Sequence, residues 1–169
     1  MASSTKKVVV RQFDGTLVWG YLPPSRFVRG SSVEVFDPSA RIILIDLSKI
    51  KSIAYVKDFN LDDAVDPERI GRRGFLSRPR SEGLWLKLEF RDRDTLEGLT
   101  QVDLPFLDAL GDDQCLSLSL PDPKSNTTRL LVPRGALTAL HVMGWIGPQA
   151  KPKPKADREQ SGDLFPMEG

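Results

Sequence analysis

The chain has one cysteine and one histidine in 169 residues. A single cysteine, Cys115, excludes an intrachain disulfide and any cysteine-built metal cluster. It follows an acidic stretch, precedes Leu116-Ser117-Leu118, and reads as a small strand-end residue. A single histidine, His141, removes paired-imidazole metal sites, and it too reads as a hydrogen-bonded strand residue. Neither sign of charge dominates: 24 Lys and Arg stand against 23 Asp and Glu. Bulk charge therefore argues neither for nor against nucleic acid. Long apolar runs are missing. After the polar lead-in 1–7, Val8-Val9-Val10 is too short for a signal-peptide core or a membrane span. A reducing, cytoplasmic location without a membrane partner is the expectation. The catalytic signatures are missing too. There is no Gly-x-Ser-x-Gly elbow, His-Glu-x-x-His pair, phosphate-binding Gly-rich loop with Lys, or dinucleotide fingerprint. The pairs Asp62-Asp63, Asp112-Asp113 and Asp92-x-Asp94 lack calcium-loop spacing and read as turn residues. The expectation is a protein that is not an enzyme and carries no cofactor.

What is present is period-two alternation. Leu84, Leu86, Leu88 and Phe90 alternate with Trp85, Lys87 and Glu89, and Leu116, Leu118 and Leu120 with Ser117 and Ser119. Both are half-buried strands. Arg41-Ile42-Ile43-Leu44-Ile45 is a continuous apolar run of the kind covered on both faces. Asp14-Gly15 and Asp37-Pro38 mark tight turns. Asp66-Pro67-Glu68 has the pattern of a short helix start, and Leu104-Pro105-Phe106-Leu107 that of another turn.

The alternation recurs as a unit. Val8–Tyr21 lies over Leu86–Leu99 without a gap, with Asp14 on Asp92 and Gly20 on Gly98, each 78 positions on. Asp37-Pro38 and Arg41–Leu44 answer Asp122-Pro123 and Arg129–Val132. Ile50, Ile53 and Val56 answer Leu137, Leu140 and Met143, each 87 positions on. Position 93 lacks the glycine of position 15, so the second turn is expected to be built differently. The longer turn Asp122–Thr127 holds Ser125 and Asn126, which can bond nearby backbone. Each unit reads as five short strands with a one-turn segment before the last. That rhythm suggests a small closed or nearly closed barrel.

Gly15 and Gly20, within Val10–Leu22, resemble the first signature of Sm-like proteins, five-stranded barrels that bind RNA as rings. The resemblance implies the fold. The RNA site is another matter: where bacterial Sm-like proteins carry a basic and histidine-bearing pair, this chain has Asp46-Leu47-Ser48. Taken together, Phe13-Asp14-Gly15, Gly20-Tyr21, Tyr55–Phe59 and Asp122–Asn126 resemble a bacterial family of uncharacterised domains, over most of residues 8–145. That likeness implies no activity.

The sharpest local signal is Arg69-Ile70-Gly71-Arg72-Arg73-Gly74-Phe75-Leu76-Ser77-Arg78-Pro79-Arg80, with five arginines and no acid. Planar guanidinium forks suit phosphate and carboxylate, and glycines let backbone N–H groups approach an anion. Against this stands a solvated loop balanced by Asp58, Asp62, Asp63, Asp66 and Glu68. Arg69-x-x-x-Arg73 resembles the first half of the PilZ motif, which implies cyclic dinucleotide binding; at the second half, Arg91 and Arg93 replace the expected Asp and Ser. Trp19 and Tyr21 form a possible aromatic surface for stacking bases, or else belong to a core or a repeat interface. Trp85 is the better candidate for packing one copy on the other. In the tail, Gln160–Phe165 is similar to peptides that dock into bacterial sliding clamps, with Leu164 and Phe165 as its apolar contacts.

The expected architecture is all-β: two tandem small five-stranded SH3-like or Sm-like barrels packed together. Residues 8–58 form the first, 84–147 the second, 59–83 an arginine-rich linker and 148–169 a disordered tail. The expected function is a non-catalytic adaptor with a protein partner. The alternative is a binder of nucleic acid or a phosphate-bearing ligand through Arg69, Arg72, Arg73, Arg78 and Arg80. Oligomeric state is left open by the sequence.

Overall fold

The computed structural model describes residues 5–24, 26–111 and 115–148. Strands β1 (Lys6–Gln12) and β2 (Leu17–Leu22) form the first hairpin. A short β3 (Val28–Arg29) leads to β4 (Ser32–Phe36) and β5 (Ile42–Asp46), then one 3-10 turn (Leu47–Lys49) and β6 (Ile50–Val56). After a strandless stretch come β7 (Gly83–Phe90), β8 (Thr95–Thr100), helix α1 (Leu104–Gly111), β9 (Cys115–Leu118) and β10 (Thr127–Pro133). A second 3-10 turn (Arg134–Ala136) and β11 (Leu137–Ile146) complete the described elements. Among the described residues the protein is all-β apart from α1 and the two single turns.

Eight strands form one curled sheet in the order β3-β4-β2-β1-β6-β10-β9, with β5 on β4; three form a second, β11-β7-β8. Leu99 and Ser119 bridge the two sheets, exchanging backbone hydrogen bonds of 3.0 and 2.8 Å. The registers of the two halves coincide. All six pairs of β1 with β2, from Lys6↔Leu22 to Arg11↔Leu17, recur 78 positions on in β7 and β8, from Leu84↔Thr100 to Glu89↔Thr95. Val8↔Tyr55, Val9↔Ala54 and Val10↔Ile53 of β1 and β6 recur as Leu86↔Val142, Lys87↔His141 and Leu88↔Leu140 of β7 and β11. Val33↔Ile45 and Val35↔Ile43 recur as Leu116↔Val132 and Leu118↔Leu130.

Two apolar cores lie on opposite faces of β1, β6 and β10. One gathers Val8, Val10, Val33, Val35, Ile45 and Ile53 with Leu131 from the second half. The other gathers Leu86, Leu88, Phe90, Leu96, Leu116 and Leu118 with Val9 and Ala54 from the first. Val8, Val9 and Val10 are therefore fully buried on both faces. This is the physical reason for an unbroken apolar triplet in a central strand. Each such side chain contributes on the order of 1.5–3 kcal/mol.

Five expectations are corrected. The run Arg41–Ile45 is not covered on both faces: β5 is an edge strand, Ile43 and Ile45 face inward, and Ile42 and Leu44 stand 59% and 63% exposed. The second hairpin turn is built like the first. Gln12 N–H donates to Thr16 O (2.9 Å) and Gly15 N–H to Gln12 O (3.1 Å); Phe90 N–H donates to Asp94 O (2.8 Å) and Arg93 N–H to Phe90 O (3.0 Å). Arg93 takes the left-handed conformation (φ 69°) that Gly15 takes freely (φ 88°). Asp66-Pro67-Glu68 forms a turn rather than a helix, closed by Arg69 N–H on Asp66 O (3.2 Å) with Arg69 at φ 43°. Leu104–Leu107 opens α1 instead of a turn, because Asp103 caps it: the Asp103 carboxylate accepts from Phe106 N–H (3.0 Å) and Pro105 tolerates the first turn. Asn126 bonds remote backbone, accepting from Asp58 N–H and donating to Asp58 O and Pro67 O (3.1, 2.7 and 2.8 Å).

Candidate functional site

The stretch between β6 and β7 is no free tether. Arg11 of β1 donates to both carboxylate oxygens of Glu68, at 3.0 and 2.7 Å, and Glu68 is almost wholly buried. The Glu68 hydrogen bond, opposed by burial, raises the Arg11 guanidinium above its ordinary value. Thr127 Oγ1 donates to Glu68 O (2.9 Å), and Glu97 N–H to Arg73 O (2.7 Å). These bonds lay the arginine loop along β8 and β10.

The five arginines of the loop do not converge on one point. Arg69 Nε lies 3.8 Å from Asp63. Arg73 donates to Thr95 O (3.0 Å) and pairs with Asp94. Asp94 also pairs with Lys51 of β6, which reaches Asp92 at 2.6 Å. Arg78 donates to Trp145 O in β11 at 3.0 Å. Arg72 has no ion-pair partner among the described residues. The structure brings Arg72, Arg78 and Arg80 to a single groove and leaves Arg69 and Arg73 outside it.

That groove has a volume of about 820 Å³. Phe75, Leu76, Leu99, Phe106, Leu120 and Pro121 give it apolar walls, and Arg129 of β10 joins the three loop arginines at its margin. Leu76 is 82% exposed. Phe75 is fixed by an edge-to-face contact with Trp85 (6.0 Å), whose Nε1–H donates to Glu97 at 3.0 Å; Glu97 also accepts from Phe75 N–H (3.1 Å). Trp85 thus seats the arginine loop instead of joining the two halves. Arg129 Nη1 donates to Ser117 Oγ at 2.6 Å. Sequence reasoning missed Arg129 and Phe106. Arg129 is the one charged residue of β10, and only the tertiary fold brings it beside the loop arginines.

Cys115 lines the same groove, and burial pushes its thiol up to about 12. It is therefore a poor nucleophile at neutral pH. Trp19 packs against the second core, with its indole Nε1 buried and unpartnered among the described residues. Tyr21 meets Phe59 edge-to-face at 5.5 Å. The two aromatics are half-buried between elements of the fold. His141 Nε2 lies 3.1 Å from Glu89 on the exposed side of β11. Leu164 and Phe165 lie outside the described residues. Among the described residues, no helix is long and apolar enough to cross a membrane.

Fold and groove together define an all-β protein with a groove between the loop, α1 and strands β8, β9 and β10, lined by four arginines, apolar side chains and the carboxylates Glu82 and Asp103. A family of unknown function, DUF6982, matches residues 4–144, and the chain belongs to it. No curated protein and no solved structure matches the chain.

Proposed function

We propose that the protein is a non-catalytic protein-interaction module, an adaptor built from two copies of one small SH3-like or Sm-like barrel. The coincident registers support the two-copy reading: β6-β1-β2-β4-β5 and β11-β7-β8-β9-β10 are the same strand order with the same partners. The observation that carries the interaction reading is the groove. Apolar walls beside guanidinium groups suit an extended peptide that alternates apolar and acidic residues. Arg69 and Arg73 are engaged within the chain, which favours a structural share for the loop over a continuous phosphate track.

The second reading is a nucleic-acid or phosphate-bearing ligand, favoured by the four arginines that share the groove. Fluorescent peptides of alternating Leu and Glu, and a single-stranded oligonucleotide, separate the two. Adaptor function expects peptide binding that Leu76→Asp abolishes and that salt weakens only modestly. Oligonucleotide binding that falls steeply with salt, and is lost when the five loop arginines become alanine, would establish the rival. Binding of neither probe would remove the groove from both readings. Removal of residues 148–169 asks whether the tail adds a contact: unchanged partners would eliminate it.

A further inference from the structure

We infer that the protein associates head to tail with further copies of itself, by adding β5 of one chain to β11 of the next. The inference rests on the two-unit reading above and not on the groove.

The internal junction supplies the pattern. Strand β6 has two partners: β1 within its own half, and β10 from the second half. Across that second seam Arg129 faces Tyr55, Leu130 faces Ala54 and Leu131 faces Ile53. Ala54 and Leu131 each cross into the other half's core, and both are buried, Leu131 to 5% exposure.

Each of these strands has a counterpart in the coincident registers. That of β10 is β5, and that of β6 is β11. Among the described residues, β5 pairs only with β4, and β11 only with β7. The two unpaired edges are therefore the two complementary halves of the seam already made inside the chain. Applying the offset of 87 to the seam gives the pairs Ile42 with Val142, Ile43 with His141 and Leu44 with Leu140. Leu44 occupies the place of Leu131, yet it stands in solvent.

The side chains agree with a covered state. Ile42 and Leu44 on β5, and Val142, Met143 and Trp145 on β11, are large apolar residues exposed along sheet edges. Edge strands are ordinarily protected by internal charge, proline or a bulge. The interior of β5 has none of these: Ile42-Ile43-Leu44-Ile45 is wholly apolar and its pairing with β4 is regular. On β11 the register shifts fall at Leu137/Ala139 and Val142/Gly144, on either side of the three residues used. A second copy is the occupant favoured because it alone carries both complementary edges by construction. Such a contact is heterologous, so it closes into a ring or extends, according to the rotation between units.

Leu44→Lys and Val142→Lys test the inference in the full chain. Both positions are exposed in the single chain, so neither substitution disturbs a core. The unsubstituted protein is expected to give a light-scattering mass that is a multiple of the single-chain mass across about a hundredfold range of concentration. Each variant alone is expected to be monomeric with an unchanged circular-dichroism spectrum. Mixed in equal amounts, the two retain one good edge of each kind and are expected to form a 1:1 dimer that grows no further. Three results would each overturn the inference: an unsubstituted chain that stays monomeric throughout, an oligomer that survives either substitution, or a mixture that fails to pair. Removing residues 149–169 extends the test. If that deletion turns a monomer into an oligomer, the tail is the edge's natural cover and the inference fails. Peptide binding, measured on the same variants, reports on the groove independently.

Discussion

Arg11 and Glu68 face each other across 57 positions of chain, and their two hydrogen bonds fasten the crossing segment to the central strand. Glu68 has almost no contact with water, whereas Arg11 keeps about a quarter of its side-chain surface. Removing Arg11 leaves a carboxylate buried without its cation. Arg11→Met is expected to cost about 2–3 kcal/mol, below the range for a fully buried pair because Arg11 is partly solvated. The double variant with Glu68→Gln should recover part of that loss. Denaturant unfolding of the four proteins measures it, and additive losses would contradict the coupling.

Arg93 occupies a conformation that costs a side-chain-bearing residue roughly 1–2 kcal/mol. Arg93→Gly is expected to stabilise the protein by about 1 kcal/mol, and Gly15→Ala to destabilise it by a similar amount. Opposite shifts of the thermal midpoint are the readout; a loss of stability in Arg93→Gly would show that the arginine side chain matters more than its backbone.

Gly20 and Gly98 sit where a hairpin strand passes close over the next strand of its half. A Cβ on Gly20 would collide with the Phe36 carbonyl oxygen and lie 2.6 Å from Val35 Cγ1. On Gly98 it would lie 3.1 Å from the Ser119 carbonyl oxygen and 3.2 Å from Leu118 Cβ. Gly20→Ala is expected to cost about 2–4 kcal/mol and Gly98→Ala about 1 kcal/mol. Equal losses measured by chemical denaturation would contradict this ranking.

Partial burial in the groove pushes the Cys115 thiol up to about 12, so almost no thiolate exists at neutral pH. Labelling by a thiol-specific disulfide reagent should be slow in native buffer and fast in concentrated guanidinium. Fast native labelling would mean that the start of β9 opens readily.

Several turn carboxylates are held below their ordinary range by backbone N–H donors: Asp14 by Thr16, Asp37 by Arg41, Asp46 by Ser48 and Asp63 by Asp66. A lowered folded-state value contributes stability that is fully present above the unfolded value of about 4 and is lost as pH falls from there through the lower folded value. The unfolding midpoint should be steady down to about pH 5 and decline below about pH 4. Asp46→Asn should flatten the decline, and a decline unaltered in that variant would remove Asp46 from the account.

Much of the fold was legible because alternation is local. Leu86, Leu88 and Phe90 face a core because β7 is half-covered, and the sequence wrote that as a period of two. The likeness of Val8–Tyr21 to Leu86–Leu99 was legible because matched registers need matched apolar positions. Arg41–Ile45 misled because a run apolar on both faces shows which residues are apolar, not which face the fold covers. The turn at Arg93 misled because a left-handed residue need not be glycine when the hydrogen bonds around it are strong enough. Of the candidate site, the loop arginines were legible by density. Their separation into groove and tether was not, since Asp94, Trp145 and Arg129 reach them only through tertiary structure.

Val9 points into one interior while its neighbours Val8 and Val10 point into the other. A wall held in common cannot be divided. Cutting the chain between its halves would release two incomplete shells, and heating it should melt both together in one transition. The two interiors stand or fall with the strand between them.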